Sequence, residues 1–172
     1  MAALPVRRYE GEVVVVETPR DLDRAWEDLA QERMVGWNTE TRPAFRVGES
    51  YLPSLVQAAT ARTVYIFQLA KMDFSRPVGG LFAEPTIVKA GISVADDLKK
   101  LKQVFHFEEA SVLDLGHVAK RHGMAQTGLR NLATNSPEQR RWFQEADQRF
   151  AVAGRCAGPD RPGLESWVAL VL

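Results

Sequence analysis

A short amide-and-acid cluster and a pair of aspartates, each at the end of an apolar run, are the residues that could do chemistry. In VGWNTETRP, residues 35–43, the run breaks into Asn38, Thr39, Glu40 and Thr41 before Pro43. In VKAGISVADDLKKL, residues 88–101, a second apolar run leads to Asp96 and Asp97. Asp114 comes after a third, shorter run. Carboxylates gathered at strand ends, with few cations beside them, are how proteins hold Mg²⁺ or Mn²⁺. Two such ions about 3.5–4 Å apart hydrolyse a phosphodiester, one activating water and the other stabilising the leaving oxygen. Each acid also has a plainer role. An Asp at a helix start is a cap or a partner of the helix dipole, and Glu40 can pair with Arg42 at the surface. Spacing alone leaves both roles open.

The elements that must position these residues are legible as patterns. EVVVVETP, from residue 12, reads as a β-branched strand running into a helix start, with Thr18 as cap and Pro19 in the first turn. Leu22, Ala25, Trp26 and Leu29 then recur at helical spacing. Residues 34–40 are a second strand. Residues 54–60 and 63–69 form a hairpin with Ala61 and Arg62 at its turn. RPVGGLF is a loop or a broken helix. Residues 86–92 are another buried strand, 95–105 an amphipathic helix with Leu98, Leu101 and Phe105 on one face, and 110–123 a short strand running into a helix. A further helix starts at residue 127. Strands alternating with helices imply a three-layer α/β or α+β domain. The first three strands are close enough in sequence to form an antiparallel meander, and a later strand comes after a helical crossover.

The chain's 172 residues suit one domain. Lys plus Arg and Asp plus Glu are 22 each, so net charge argues neither for nucleic acid nor for a membrane, and a local basic groove stays possible. Cys156 is the only cysteine, which excludes an intrachain disulfide and a cysteine metal cage. No apolar run of about 18 residues offers a membrane span, and the first residues carry no signal-peptide pattern. The expectation is a soluble intracellular protein, cytoplasmic or nuclear. Composition changes near residue 135: beyond Thr134 there is no Lys, Ile, Thr, Tyr, His or Met, and RCAGPDRPG is rich in breakers. SPEQRRWFQEADQRF, residues 136–150, reads as one helix capped by Ser136. A segment read out of frame or alternatively spliced would produce such a shift.

VGWNTETRP resembles the first motif of the RNase D and Werner-type 3′–5′ exonuclease family, Gly-(Phe/Trp)-Asp-Thr-Glu-(Thr/Trp)-x-Pro. PSLVQAAT and VYIFQL are similar to the hairpin that comes after it there. VKAGISVADDLKKL resembles the second motif, a Gly followed six residues later by a metal-binding Asp; counting from Gly91 gives Asp97, not Asp96. DLGHVAKRHGMAQTGLRNLA, residues 114–133, is similar to the helices that lead to the third motif. The resemblance covers about residues 10–134. It implies a ribonuclease-H-like α/β fold: a mixed sheet of about five strands, strands one to three antiparallel, with helices on both faces. It implies removal of nucleotides from the single-stranded 3′ end of DNA or RNA with two divalent ions, Mg²⁺ or Mn²⁺. Glu40 would be a ligand of the first ion, and Asp97 would bind the second directly or through water. The backbone around Thr39 and Thr41 would touch the sugar and phosphate of the terminal nucleotide.

The chain departs from the family pattern at two places. Asn38 stands where the family has the Asp that bridges both ions. An amide oxygen ligates without charge, so weak metal binding and a loss of several orders of magnitude in rate are expected. The family's third motif, Tyr-x-x-x-Asp, has no tyrosine here, because Tyr65 is the last one. The nearest stand-in, Phe143 to Asp147, keeps the internal spacing but lies close behind residue 133, and Phe cannot orient water as a phenol does. The expected organisation is therefore an exonuclease-like domain at 1–134 and a divergent tail at 135–172. Two functions stand side by side: an exonuclease with reduced or lost activity, or a non-catalytic module that binds nucleic acid or a protein through the same cleft. Trp37 alternates to the other face and reads as core; Gln57 either supports the site or is structural. His106, His117 and His122 lack metal-ligand spacing. Lys99, Lys100 and Lys102 read as a solvated helix face or a phosphate-facing edge, and Arg140 and Arg141 are similarly open.

Overall fold

The computed structural model describes residues 11–41, 46–125 and 127–128. Thr18 opens the first helix as its residue type demands. Its hydroxyl accepts from the Asp21 N–H at 3.2 Å, and the Asp21 carboxylate accepts from the Thr18 N–H at 2.9 Å, a reciprocal capping box with Pro19 behind it. The Asp21 carboxyl is held below its ordinary pKa chiefly by the Thr18 hydroxyl. In chain order the elements are β1 (Glu12–Val16), α1 (Pro19–Ala30), β2 (Met34–Thr41), β3 (Pro53–Ala59), β4 (Thr63–Gln68), α2 (Ser75–Ala83), β5 (Val88–Gly91), α3 (Val94–Val104), β6 (Val112–Asp114) and α4 (Leu115–Arg121).

The six strands of the described residues form one sheet in the order β1-β4-β3-β2-β5-β6. β2, β3 and β4 are the antiparallel meander; β1 lies parallel to β4 at one edge, and β5 and β6 add in parallel beside β2. The expected antiparallel run of the first three strands is thus corrected at β1. Twelve residues of helix separate β1 from β2. That length is a crossover rather than a tight turn, so β1 and β2 do not close a hairpin, and β1 takes the far edge beside β4. Among the described residues the sheet has six strands where about five were expected.

Alternation along each strand feeds two apolar layers. Val35, Trp37, Val56, Tyr65 and Phe67 pack with Ala25 and Leu29 of α1, Val78, Leu81 and Phe82 of α2, and Leu101 of α3. Met34, Ala59, Val64, Val88 and Ala90 pack on the opposite face with Leu115, Val118 and Ala119 of α4. Helices therefore cover both faces. Trp37, 1% exposed, meets Phe82 edge-on at 4.7 Å, which confirms it as core. RPVGGLF proves to be part of α2. Two successive glycines weaken a helix locally, but Val78, Leu81 and Phe82 are all buried, and Gly79 lets Phe107 approach closely: a Cβ there would lie 3.4 Å from the Phe107 Cβ. Tertiary burial outweighs propensity. Residues 127 and 128, where a further helix was expected to start, are not helical; the rest of that helix, to 133, and the one expected at 136–150 lie outside the described residues.

Candidate functional site

β2 carries the first cluster. Val35 and Trp37 belong to the layer under α1–α3 and Met34 to the layer under α4, so strand alternation sends Asn38 and Glu40 to the α4 side and Thr39 to the α3 side. On the α4 side the Asn38 amide nitrogen donates to Glu40 Oε1 at 3.2 Å. Gln57 stands directly opposite Asn38 on β3. The ladder shifts register between Glu40 and Thr41, where Ser54 Oγ donates to the Glu40 carbonyl at 3.0 Å. Such irregularities are common where a strand must re-aim its side chains beside a site.

α3 carries the second cluster. Its start is brought against β2 by Gly91, the last residue of β5. A Cβ there would fall 2.4 Å from Val94 Cγ1 and 3.0 Å from the Trp37 carbonyl, so any larger residue would push the first turn of α3 away. The Gly and the Asp six residues later are one device: the first permits the approach and the second uses it. Asp97 Oδ1 accepts from Thr39 Oγ1 at 2.6 Å, with Thr39 itself 6% exposed. That bond singles out Asp97 over its exposed neighbour Asp96. Sequence reasoning assigned only the backbone of Thr39 a role. The period-two pattern that placed Trp37 in the core also carried the signal that the Thr39 hydroxyl points the same way, toward α3.

Asp114 has a structural task. Its carboxylate caps α4 by accepting from the N–H groups of Gly116 at 2.8 Å and His117 at 3.4 Å, and it also accepts from Ser93 N and Val94 N at the start of α3. Lys102 pairs with Glu109 and lies over the Phe107 ring, which takes it away from any phosphate-facing edge. Lys99 remains exposed. His106 faces Glu108 and His117 faces Asp114, and neither joins a metal-ligating cluster among the described residues. Thr41 ends β2 half-buried. Asp147, Phe143, Arg42, Arg140 and Arg141 lie outside the described residues.

The donor set can be tested against a two-ion centre by its own chemistry. That centre needs a carboxylate shared by both ions. Position 38 supplies an amide whose nitrogen, not its oxygen, faces Glu40, and Asp97 is engaged from the other side of the strand by Thr39. Among the described residues no three His, Cys, Asp or Glu side chains converge. These residues do not fit a pair of shared ions.

The comparisons with known proteins agree on what the scaffold is. The sequence model of the 3′–5′ exonuclease family matches residues 13–149, about four-fifths of the chain. The human protein called Exonuclease mut-7 homolog is 30% identical over 119 residues, covering 57% of this chain and 14% of that protein; the chain thus spans about one-seventh of that relative's length. The structure of the Nibbler EXO domain of Aedes aegypti superposes with a TM-score of 0.61 at 17% identity, over 98% of this chain and 85% of that one. RNase D of Trypanosoma brucei in complex with RNA U12 superposes with a TM-score of 0.55 at 18% identity, over 89% of this chain and 65% of that one. The match of the family model over residues 13–149 places this chain in the 3′–5′ exonuclease family, and the mixed sheet with its two helical layers is the fold it shares with these solved neighbours.

Proposed function

We propose that this chain is a 3′–5′ exonuclease-type domain that takes the single-stranded 3′ end of DNA or RNA at the C-terminal end of β2 and cleaves it slowly or not at all. The observation that carries this reading is the Asn38–Glu40 hydrogen bond. An acid at position 38 would repel Glu40 and invite a cation between them; the amide instead satisfies Glu40 with a neutral N–H. Glu40 and Asp97 would be the carboxylates left to hold a divalent ion, Mg²⁺ or Mn²⁺, weakly, and Asn38 would add an amide oxygen only if its side chain turned over. The backbone of Thr39 and Thr41 would meet the terminal sugar and phosphate. RNA is the ligand in the complex of the T. brucei relative, which supports a nucleic acid here, working in the cytoplasm or nucleus. The catalytic scaffold is taken as residues 1–134, with the tail from 135 lacking the Tyr-x-x-x-Asp motif.

A second reading, a non-catalytic module that binds nucleic acid or a protein through the same cleft, is favoured by the same bond, because a cleft that needs no cation to be stable can persist without chemistry. One assay separates the two. A 3′-labelled single strand is incubated with Mn²⁺ and either the parent protein or Asn38→Asp. Digestion by the variant alone identifies position 38 as the lesion. Absence of digestion by both removes the enzyme reading.

A further inference from the structure

We infer that Asp114 is a positioning residue of the cleft: its one carboxylate ties the start of α3 to the start of α4 and thereby sets where Asp97 stands. β6 lies parallel to β5 with Asp114 in register with Gly91, so the last residue of β6 falls beside the turn that launches α3. There Asp114 Oδ1 accepts from Ser93 N at 3.2 Å and Oδ2 from Val94 N at 3.3 Å. The same Oδ1 accepts from Gly116 N and His117 N. The first N–H groups of a helix have no partner within it and carry its positive end; here a single anion serves two such ends. Its side chain is only 12% exposed, so water competes little.

The backbone at Ser93 is the second observation. It has φ 58 and ψ 40, a left-handed conformation, and its own side chain makes no capping bond. A residue other than glycine is strained there and persists only when its surroundings fix it. Asp114 is the side chain that bonds this residue's N–H. Gly116 fits the same arrangement, since a Cβ there would stand 3.1 Å from Asp114 Oδ1. The chain of contacts then runs from Asp114 to the first turn of α3 and on to the Asp97–Thr39 hydrogen bond at the end of β2. The relevance of this chain of contacts to function rests on the reading of Asp97 as a cleft residue; the geometry does not.

The test uses urea unfolding of the whole chain, without metal or nucleic acid. In the parent, Thr39→Val removes the bond to Asp97 and lowers the folding equilibrium constant by about tenfold. Asp114→Asn keeps a cap for α4 but turns a donor toward Val94. Asp114→Ser also caps α4 and is too short to reach α3, which serves if the Asn variant is too unstable to measure. If Asp114 positions Asp97, Thr39→Val costs close to nothing in either background, because the bond it removes is already lost. Thr60→Val, which removes a distant hydroxyl bonded to Asp28, keeps its full cost in all backgrounds. Amide exchange at Ser93 and Val94 speeds up in both Asp114 variants while that of α1 does not. An equal cost of Thr39→Val in the parent and in the Asp114 variants overturns the inference. Failure of the digestion assay leaves it standing, since no substrate enters the cycle.

Discussion

The two ends of the sheet treat carboxylates differently. At the hairpin end, Asp28 of α1 accepts from Thr60 Oγ1 at 3.2 Å and from the Tyr65 hydroxyl at 2.9 Å, with Arg62 at 3.6 Å. Burial, reinforced by the Asp28 carboxylate, pushes the Tyr65 hydroxyl up to about 12. At the other end, where β2 finishes beside the start of α3, Glu40 and Asp97 each receive one neutral side-chain donor. An ionised carboxylate offers about four acceptor positions. Asp28 spends them on its own fold, whereas Glu40 and Asp97 keep acceptor capacity in hand. The difference separates acids bonded several times within the fold from the acids proposed to meet a ligand.

That contrast can be broken by substitution. Asp28→Ala strands the buried Tyr65 hydroxyl and takes one acceptor from Thr60, and should cost about 3 kcal/mol in urea unfolding; a loss under about 1 kcal/mol would mean the hairpin end is not held as described. Asn38→Asp should raise Mn²⁺-dependent digestion by about a hundredfold or more, equivalent to about 2.7 kcal/mol of barrier, while Asp28→Ala in the same background should change digestion only in proportion to its unfolded fraction.

The pH dependence sharpens the hairpin-end picture. Burial lowers Lys89 to about 8 from its ordinary 10.5, and its ammonium donates to the Glu84 carbonyl at 2.5 Å. Between about pH 8 and 10.5 the unfolded chain binds this proton and the folded one does not, so Lys89 makes stability rise with pH there, by up to about 3 kcal/mol. Tyr65 acts oppositely. Its folded value lies above its unfolded 10.0, so its contribution is full below pH 10 and lost as pH climbs toward 12. Lys89→Met should flatten the rise between pH 8 and 10.5 in a series of denaturation midpoints and leave the fall above pH 10. The smallest effect belongs to Glu40→Gln, expected to shift stability by less than about 0.5 kcal/mol yet to abolish whatever digestion Asn38→Asp gains. A stability loss comparable to that of Asp28→Ala would place Glu40 among the acids that hold the fold.

Much of this was readable from local pattern. Thr18 and Pro19 announced α1 because capping is a short-range matter settled within about four residues. Ala61 and Arg62 announced the hairpin turn for the same reason. Gly91 and Asp97 were paired by the resemblance to the family's second motif, before the close approach of Gly91 to Val94 and the bond from Thr39 to Asp97 were seen. Features that depended on neighbours distant in sequence were missed. The helix at Ser75–Ala83 was obscured by Pro77, Gly79 and Gly80, whose local cost is offset by burial against Phe107 and Trp37. The parallel edge position of β1 could not be read because β1 and β4 are far apart in the chain. Asp114 was noted as an acid, but its second set of bonds, to Ser93 and Val94, joins residues about twenty apart.

The sequence by itself determined the chemistry available: an amide at position 38, carboxylates at 40 and 97, and an apolar alternation that puts 38 and 40 on one face of β2 and 39 on the other. Residue identity and the period of a strand are local facts. The tertiary structure alone decided that the Asn38 nitrogen turns to Glu40, that Thr39 holds Asp97, and that Asp114 joins two helix starts. Hydrogen bonds between distant segments exist only once burial has brought those segments together and left their polar atoms to find one another.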